Sequence, residues 1–100
     1  MSTQTRTIEI INIKGLHARA SAKLAQLALE LPAIVTVNFE GESADARSIM
    51  DLLCLGAGQG NRVALSAEGQ GAEEALEAVS TLFAEGFGEL ADDAAACACK

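Results

Sequence analysis

The sequence predicts an α+β fold in which one four-stranded sheet carries helices on one face. Four segments with β-branched or alternating apolar residues indicate strands, and two longer segments repeat apolar residues at helical spacing. The connections between them are short, and 100 residues suffice for one domain. Each long helix has a single apolar stripe. A sheet that both helices cover on one face would bury both stripes.

The first half of the chain is predicted to form a strand, a helix and a second strand. The segment "TRTIEIINI" (residues 5–13) is β-branched and partly alternating, which indicates a strand. Pro32 ends the following helix, because proline disfavours helical backbone in the residue before it. The segment "AIVTVNF" (residues 33–39) alternates its side chains between two faces as a second strand. The helix stripe consists of Ala20, Leu24, Leu27, Ala28 and Leu31.

The second half is predicted to form two more strands and two helices. A tight turn at Gly41 leads into a short third strand, "SADA", which returns beside the second. In "SIMDLLCLG", Ser48 is a predicted N-cap, Asp51 completes a pattern like a capping box, and Gly56 suits the C-terminal stop. "RVALSAEG" is the fourth strand. The last helix has the stripe Ala72, Ala75, Leu76, Val79, Leu82, Phe83, Gly86 and Phe87.

No core-facing pattern is visible from Gly88 onward. We therefore expect residues 1–87 to form the domain and residues 88–100 to form a flexible C-terminal tail.

Composition narrows the class of protein. The net charge of −7 and the absence of Trp and Tyr argue against binding of nucleic acid. No apolar run is long enough to span a membrane, and the N-terminus lacks the apolar region of a signal peptide, so we expect a cytoplasmic location.

We also expect a monomer without a cofactor. One His, three Cys and no CxxC give neither a disulfide scaffold nor a zinc site, and Cys54 is interpreted as a small apolar filler.

Charge is distributed unevenly along the chain. Residues 1–24 hold four basic residues and one acid, whereas residues 66–99 hold eight acids and no base. The basic end surrounds His17, so it could face a phosphate or an acidic partner. Random scatter over a solvated surface is the alternative. The basic residues are Arg6, Lys14, Arg19 and Lys23.

His17 is the only histidine, and it precedes the predicted first helix. The backbone N–H groups and the dipole of a helix N-terminus favour an anion there. A neutral imidazole is a nucleophile near pH 7, and the fork of Arg19 suits phosphate. These features favour a transient phosphohistidine. A surface histidine that only caps the helix is the alternative. A metal site lacks further ligands, and a Ser-His-Asp hydrolase lacks a GxSxG motif.

Two separated motifs resemble the HPr family of the bacterial phosphoenolpyruvate-dependent phosphotransferase system. They are "GLHARASAKL" and, about thirty residues later, "ARSIMDLLCLGAGQGNRVALSAEG". The resemblance covers residues 5–87. It implies an open-faced β-sandwich of four antiparallel strands under three helices, in the order βαββαβα. "HARAS" with "SIMDLL" looks like the proteobacterial versions of the nitrogen-related branch.

The resemblance implies a phosphoryl carrier rather than a stand-alone enzyme. His17 would accept the group at Nδ1 from phospho-enzyme I and pass it to an enzyme IIA. Arg19 matches the arginine that contacts the phosphate, and the backbone of Ala18 and Arg19 would bind it as well. Many family members have proline where this chain has Ala20, so an extra N–H lies in the first helical turn.

The resemblance also implies a docking surface beside His17. The short helix cannot bury all of its apolar side chains, so we expect Leu52 and Leu55 in the core and the others at the surface. Ser48 matches a serine that an HPr kinase/phosphorylase phosphorylates in some members, and plain N-capping is compatible with that role. The predicted docking residues are Lys14, Ala20, Lys23, Arg47, Ile49, Met50 and Leu53, with Arg19 in the same basic rim.

Two other classes of function fit this sequence less well than a carrier does. A regulatory docking module, controlled by phosphorylation at His17 or Ser48, is the alternative, although such a module could dispense with the histidine. A free-standing phosphatase or kinase lacks a metal site or a P-loop in this sequence.

Overall fold

The structure is a computed structural model that describes residues 3–89. Its elements follow the predicted order, but the first strand ends at Glu9 rather than at residue 13 and the last α-helix ends at Ala84. They are β1 (Thr3–Glu9), α1 (Ala18–Glu30), β2 (Ile34–Phe39), β3 (Glu42–Asp45), α2 (Ile49–Leu55), β4 (Arg62–Glu68) and α3 (Ala72–Ala84), and a 3₁₀ turn follows at Gly86–Gly88.

The four strands form one sheet in the order β1-β4-β2-β3, and every neighbouring pair is antiparallel. The predicted α+β fold, an open-faced sheet with three helices, is confirmed. Because Glu9 pairs with Arg62, the end of β1 lies beside the start of β4. The loop that follows β1 therefore meets the loop between α2 and β4. This meeting point lies directly before α1.

The core lies between the sheet and the helices. The inward residues of the central strands alternate with more exposed ones, as the predicted period of two requires. Both long helices direct their apolar stripes to this core, although Leu27, Leu31 and Leu82 are only partly buried. The largest fully buried apolar side chains are Ile10, Leu24, Val35, Val37, Leu52, Val63, Leu65, Val79, Phe83 and Phe87.

The C-terminal end of the domain differs from the prediction. The α-helix ends at Ala84, and three successive residues, Gly86, Phe87 and Gly88, have positive φ and turn the chain back. The Phe87 ring is buried and lies edge-on to Phe83 at 4.7 Å between centroids. Glu89 is also buried. The predicted tail is thus wrong for Gly88 and Glu89, and its remainder, residues 90–100, lies outside the described residues.

A close contact between two loops fixes the start of α1. Gly15 has φ +62°, and a Cβ there would lie 2.5 Å from Gly58 Cα and 2.7 Å from Ala57 O. The Leu16 amide donates to the same Ala57 carbonyl at 3.1 Å. Ile10 and Gly60 are also joined, because the Gly60 amide donates to the Ile10 carbonyl at 2.8 Å. Only glycine at position 15 allows the two backbones to approach this closely.

None of the helices within residues 3–89 combines the length and the apolarity needed to cross a bilayer.

We expect Gly15→Ala to destabilise the fold more than a glycine change that strains the backbone alone. Gly41→Ala is the matched control, since Gly41 has φ +83° but open space around its Cα. The control should lose about 1 kcal/mol of unfolding free energy, and Gly15→Ala about 2 kcal/mol more, because it adds steric overlap with backbone. Urea unfolding of both variants measures the difference. Equal losses would contradict the close contact.

Candidate functional site

His17 is the N-cap of α1, as predicted. Its backbone is extended (φ −78°, ψ −177°), and its Nδ1 accepts a hydrogen bond from the Arg19 amide at 3.2 Å. The His17 carbonyl accepts from the Ser21 amide at 2.9 Å, which closes the first helical turn. About a quarter of the imidazole is exposed. One ring nitrogen therefore lies at the N-terminus of a helix, where the backbone favours negative charge.

The other ring nitrogen contacts a carboxylate. His17 Nε2 lies 2.5 Å from Glu89 Oε2, and the Glu89 side chain is almost fully buried. A carboxylate only accepts hydrogen bonds, and the Arg19 N–H only donates one. Both contacts are satisfied when the neutral ring carries its proton on Nε2 and its lone pair on Nδ1. The surroundings of His17 thus favour this tautomer from both sides.

A buried asparagine completes the arrangement. Asn12 Nδ2 donates to Glu89 Oε1 at 3.0 Å and to the Gly15 carbonyl at 2.9 Å. We call these three side chains the Asn12–Glu89–His17 chain. Since Gly15 belongs to the close loop contact, Asn12 ties the carboxylate to the rigid part of the loop. The Asn12 Oδ1 atom has no hydrogen-bond partner among residues 3–89.

The charge of Glu89 is set by opposing effects. Burial raises the pKa of the Glu89 carboxyl, but the hydrogen bonds from Asn12 and His17, the charge of Lys23 and that of His17 in its protonated form together lower it by more. The net result is a pKa below the ordinary glutamate value of 4.5. Glu89 is therefore an ionised acceptor at neutral pH.

Neither Asn12 nor Glu89 is among the site residues that the sequence predicts. Asn12 follows Ile8 and Ile10 at a spacing of two, which places it on the inward face of the predicted strand 5–13, although β1 itself ends at Glu9. Glu89 gave no signal, since it lies among acids in a segment without periodicity. The predicted basic surroundings of His17 are thus incomplete, because the acidic half of the chain supplies the carboxylate in contact with it.

The predicted basic rim divides into two pairs. Lys23 Nζ donates to the Phe87 carbonyl at 2.6 Å, and Arg47 forms an ion pair with Asp45 at 3.0 Å. The side chains of Lys14 and Arg19 are exposed and make no hydrogen bond or ion pair with residues 3–89. These two remain available to bind an anion.

The short helix α2 divides its apolar side chains as predicted. Leu52 and Leu55 are buried, whereas Ile49, Met50 and Leu53 are exposed, with Met50 at 68%. The Ser48 hydroxyl caps the helix by accepting from the Asp51 amide at 3.2 Å. Because α2 leads directly into Ala57, its C-terminal end lies beside the loop that carries His17. The three exposed residues form what we call the α2 patch.

Two predicted assignments are wrong. Ala20, assigned to the docking surface, is 0% exposed, because the first turn of α1 directs it into the core. A fully buried side chain has no surface for a partner. Cys54, interpreted as an apolar filler, is exposed because the buried face of α2 is occupied by Leu52 and Leu55.

Fold and site together define a small α+β domain that presents a histidine at the N-terminus of a helix, a position suited to a phosphoryl group. Residues 4–85 match the family model described as the PTS HPr component phosphorylation site. The chain therefore belongs to the HPr family of phosphocarriers of the phosphotransferase system, and the predicted resemblance is confirmed.

Individual relatives match nearly end to end. The chain is 46% identical to the phosphocarrier protein HPr of Cupriavidus necator over 84 residues, which are 84% of this chain and 94% of the relative. It is 42% identical over 88 residues to the phosphocarrier protein NPr of Escherichia coli K12, which are 87% of this chain and 98% of the relative. Relatives named HPr and NPr thus both match, and the nitrogen-related branch is among them.

A solved structure agrees with the fold. The HPr of Thermoanaerobacter tengcongensis superposes with a TM-score of 0.82 at 43% identity, and the match covers 86% of this chain and 97% of that one.

Acid should weaken the folded state partly through Glu89. Folding lowers the pKa of this carboxyl, so its ionised form contributes stability above pH 4.5, which is lost as the pH falls through the lower folded value. We expect the unfolding free energy of the wild type to fall more steeply on acidification than that of Glu89→Gln. Urea unfolding over a pH series measures the slopes. Glu85→Gln, the same charge change at an exposed site, should keep the wild-type slope, and a wild-type slope in Glu89→Gln would contradict the assignment.

Proposed function

We propose that the chain accepts a phosphoryl group on Nδ1 of His17 from phospho-enzyme I and passes it to an enzyme IIA. The observation that carries the proposal is the position of Nδ1, which lies 3.2 Å from the Arg19 amide at the start of α1. The nitrogen has a lone pair there, and the neighbouring N–H groups are donors suited to phosphoryl oxygens. Membership of the phosphocarrier family supports this role.

During transfer, the N–H groups at the start of α1 exchange the Nδ1 atom of His17 for a phosphoryl oxygen as their hydrogen-bond acceptor. As the Nδ1 lone pair forms the bond to phosphorus, the bond between phosphorus and the donor breaks and the donor keeps that electron pair. The Arg19 amide loses Nδ1 as its acceptor and gains a phosphoryl oxygen, and the amide of Ala18 is a second donor in the same turn. The helix cap is thus kept in both states of the carrier.

Arg19 and Lys14 complete the anion site. Neither side chain is engaged by the described residues, and both are exposed on the segment that carries His17. The planar guanidinium of Arg19 can donate two parallel hydrogen bonds to phosphate, and Lys14 adds a second positive charge. We propose that Arg19 contacts the phosphoryl group directly and that Lys14 attracts the acidic surfaces of the two partners.

The α2 patch is the proposed contact with enzyme I and enzyme IIA. Exposed apolar residues around an adaptable methionine suit a surface that must dock on two different partners. The C-terminal end of α2 lies beside the loop that carries His17, so we propose that a partner docked on the patch reaches the ring. Lys23 and Arg47 would then contribute charge at the rim, although both side chains already have partners within the domain.

Ser48 is a proposed regulatory position for an HPr kinase/phosphorylase. Its hydroxyl is half-buried and occupied in capping α2, so phosphorylation would replace the cap with a dianion beside Asp51. The N-terminus of α2 would stabilise this added charge, whereas the carboxylate of Asp51 would repel it, so the helix that carries the α2 patch would meet two opposing effects. Such a change would alter docking without touching His17.

We expect incubation with phosphoenolpyruvate, Mg²⁺ and a cognate enzyme I to place an acid-labile, base-stable phosphate on the protein. His17→Ala should take up none. His17→Asn is the matched control, since asparagine caps a helix but cannot form a phosphohistidine, so it should fold and remain unlabelled. Radiolabel transfer followed by acid and base treatment decides the matter. Equal labelling of His17→Asn and the wild type would contradict the proposal.

Met50→Glu should slow transfer from enzyme I roughly tenfold, because it places a charge in the centre of the α2 patch. The matched control is Leu29→Glu, which changes a residue of equal exposure (69%) near the opposite end of α1. Transfer kinetics measure the effect, and circular dichroism confirms that both variants fold. If enzyme I phosphorylates the two variants at the same rate, the α2 patch is not the docking surface.

A further inference from the structure

A buried carboxylate holds the histidine on the side away from the helix. Glu89 reaches His17 from 72 positions along the chain, and its other oxygen is bound by Asn12. The positive φ values of residues 86–88 turn the chain so that this side chain points back to the ring. Lys23 fixes the same turn through the Phe87 carbonyl. The hydrogen bonds from Asn12 and Lys23, together with the left-handed turn, thus hold one acid against one ring nitrogen.

The contact decides which ring nitrogen is free to react. Free imidazole exchanges its proton between Nδ1 and Nε2, and only the nitrogen without the proton is a nucleophile. Facing an ionised carboxylate, Nε2 keeps the proton, so the lone pair stays on Nδ1 at the start of α1. A histidine that only capped the helix would need no buried partner on its other side.

We propose that Glu89, oriented by Asn12, is a positioning residue that keeps the His17 proton on Nε2 and so presents Nδ1 as the nucleophile. The inference rests on the proposed function of His17 as the phosphoryl acceptor. It adds a residue that the two sequence motifs do not contain.

The same carboxylate also balances the charge that transfer creates. When Nδ1 forms its bond to phosphorus, the ring keeps its Nε2 proton, no proton leaves, and the ring becomes formally positive. The Glu89 carboxylate already faces that N–H at 2.5 Å. The phosphoryl oxygens lie on the opposite side, toward the helix N–H groups and Arg19. The positive ring therefore faces the carboxylate of Glu89, and the negative phosphoryl oxygens face the helix N–H groups and Arg19.

The orientation of Asn12 makes the proposal testable with a nearly isosteric variant. Asn12 Nδ2 donates to both Gly15 O and Glu89 Oε1, so turning the amide over would bring its oxygen against the Gly15 carbonyl. In Glu89→Gln, the new amide must therefore offer its oxygen to Asn12 and its NH₂ group to His17. An NH₂ donor at Nε2 favours the opposite tautomer, with the proton on Nδ1.

The test is the tautomer of His17 in the unphosphorylated protein, read from the ¹⁵N chemical shifts of the ring at mildly alkaline pH. The wild type should carry its proton on Nε2, Glu89→Gln should shift it toward Nδ1, and Glu85→Gln should match the wild type. An unchanged tautomer in Glu89→Gln would overturn the proposal. If Glu89→Gln does not fold, the wild type still decides, since a proton on Nδ1 there also overturns it.

Phosphorylation kinetics separate this inference from the proposed function. With the wild type as reference, Glu89→Gln should lower the rate of phosphorylation by enzyme I roughly tenfold to a hundredfold, with docking unchanged in a competition binding assay. Glu85→Gln should not change the rate. If the wild type takes no phosphate, the proposed function fails. If the wild type is phosphorylated and Glu89→Gln keeps its rate, only the role of Glu89 fails.

Discussion

The close contact between the loop after β1 and the loop after α2 is the constraint on which the site depends. Gly15 lies against the backbone of residues 57–58, and this contact fixes where α1 begins and thus where His17 caps it. The same segment receives the amide of Asn12, which in turn holds Glu89. The same meeting of loops sets the C-terminal end of α2 beside the loop that carries His17. One steric fit therefore places the capping histidine, its partner carboxylate and the helix that carries the proposed docking surface.

Most of the fold follows from patterns that each act over a few residues. Strand alternation, the two helical stripes, Pro32 and the capping residues Ser48 and Gly56 are local signals, and the structure agrees with them. The end of the domain does not follow, because Phe87 is brought into the core by left-handed backbone rather than by continued helix. A stripe of apolar residues shows which side chains are buried but not the path of the chain between them.

The site was predictable only on the side that faces the helix. His17 and Arg19 lie within one short motif, so their relation to the N-terminus of α1 is local. Glu89 is joined to His17 across the whole domain, and no periodicity marks it among the other acids. Ala20 shows the converse, since the motif placed it near the site while the helix geometry buries it. Sequence motifs therefore identify the capping histidine more readily than the buried side chains in contact with it.

The separation of His17 from Glu89 has a consequence for how the carrier is made. Synthesis proceeds from the N-terminus, so a nascent chain contains the helix cap long before it contains the acid at position 89. Until that residue leaves the ribosome, the imidazole can cap α1 but has nothing to fix its proton. In the proposed arrangement, the ring therefore reaches its final protonation pattern only after the turn at residues 86–88 has brought Glu89 to it.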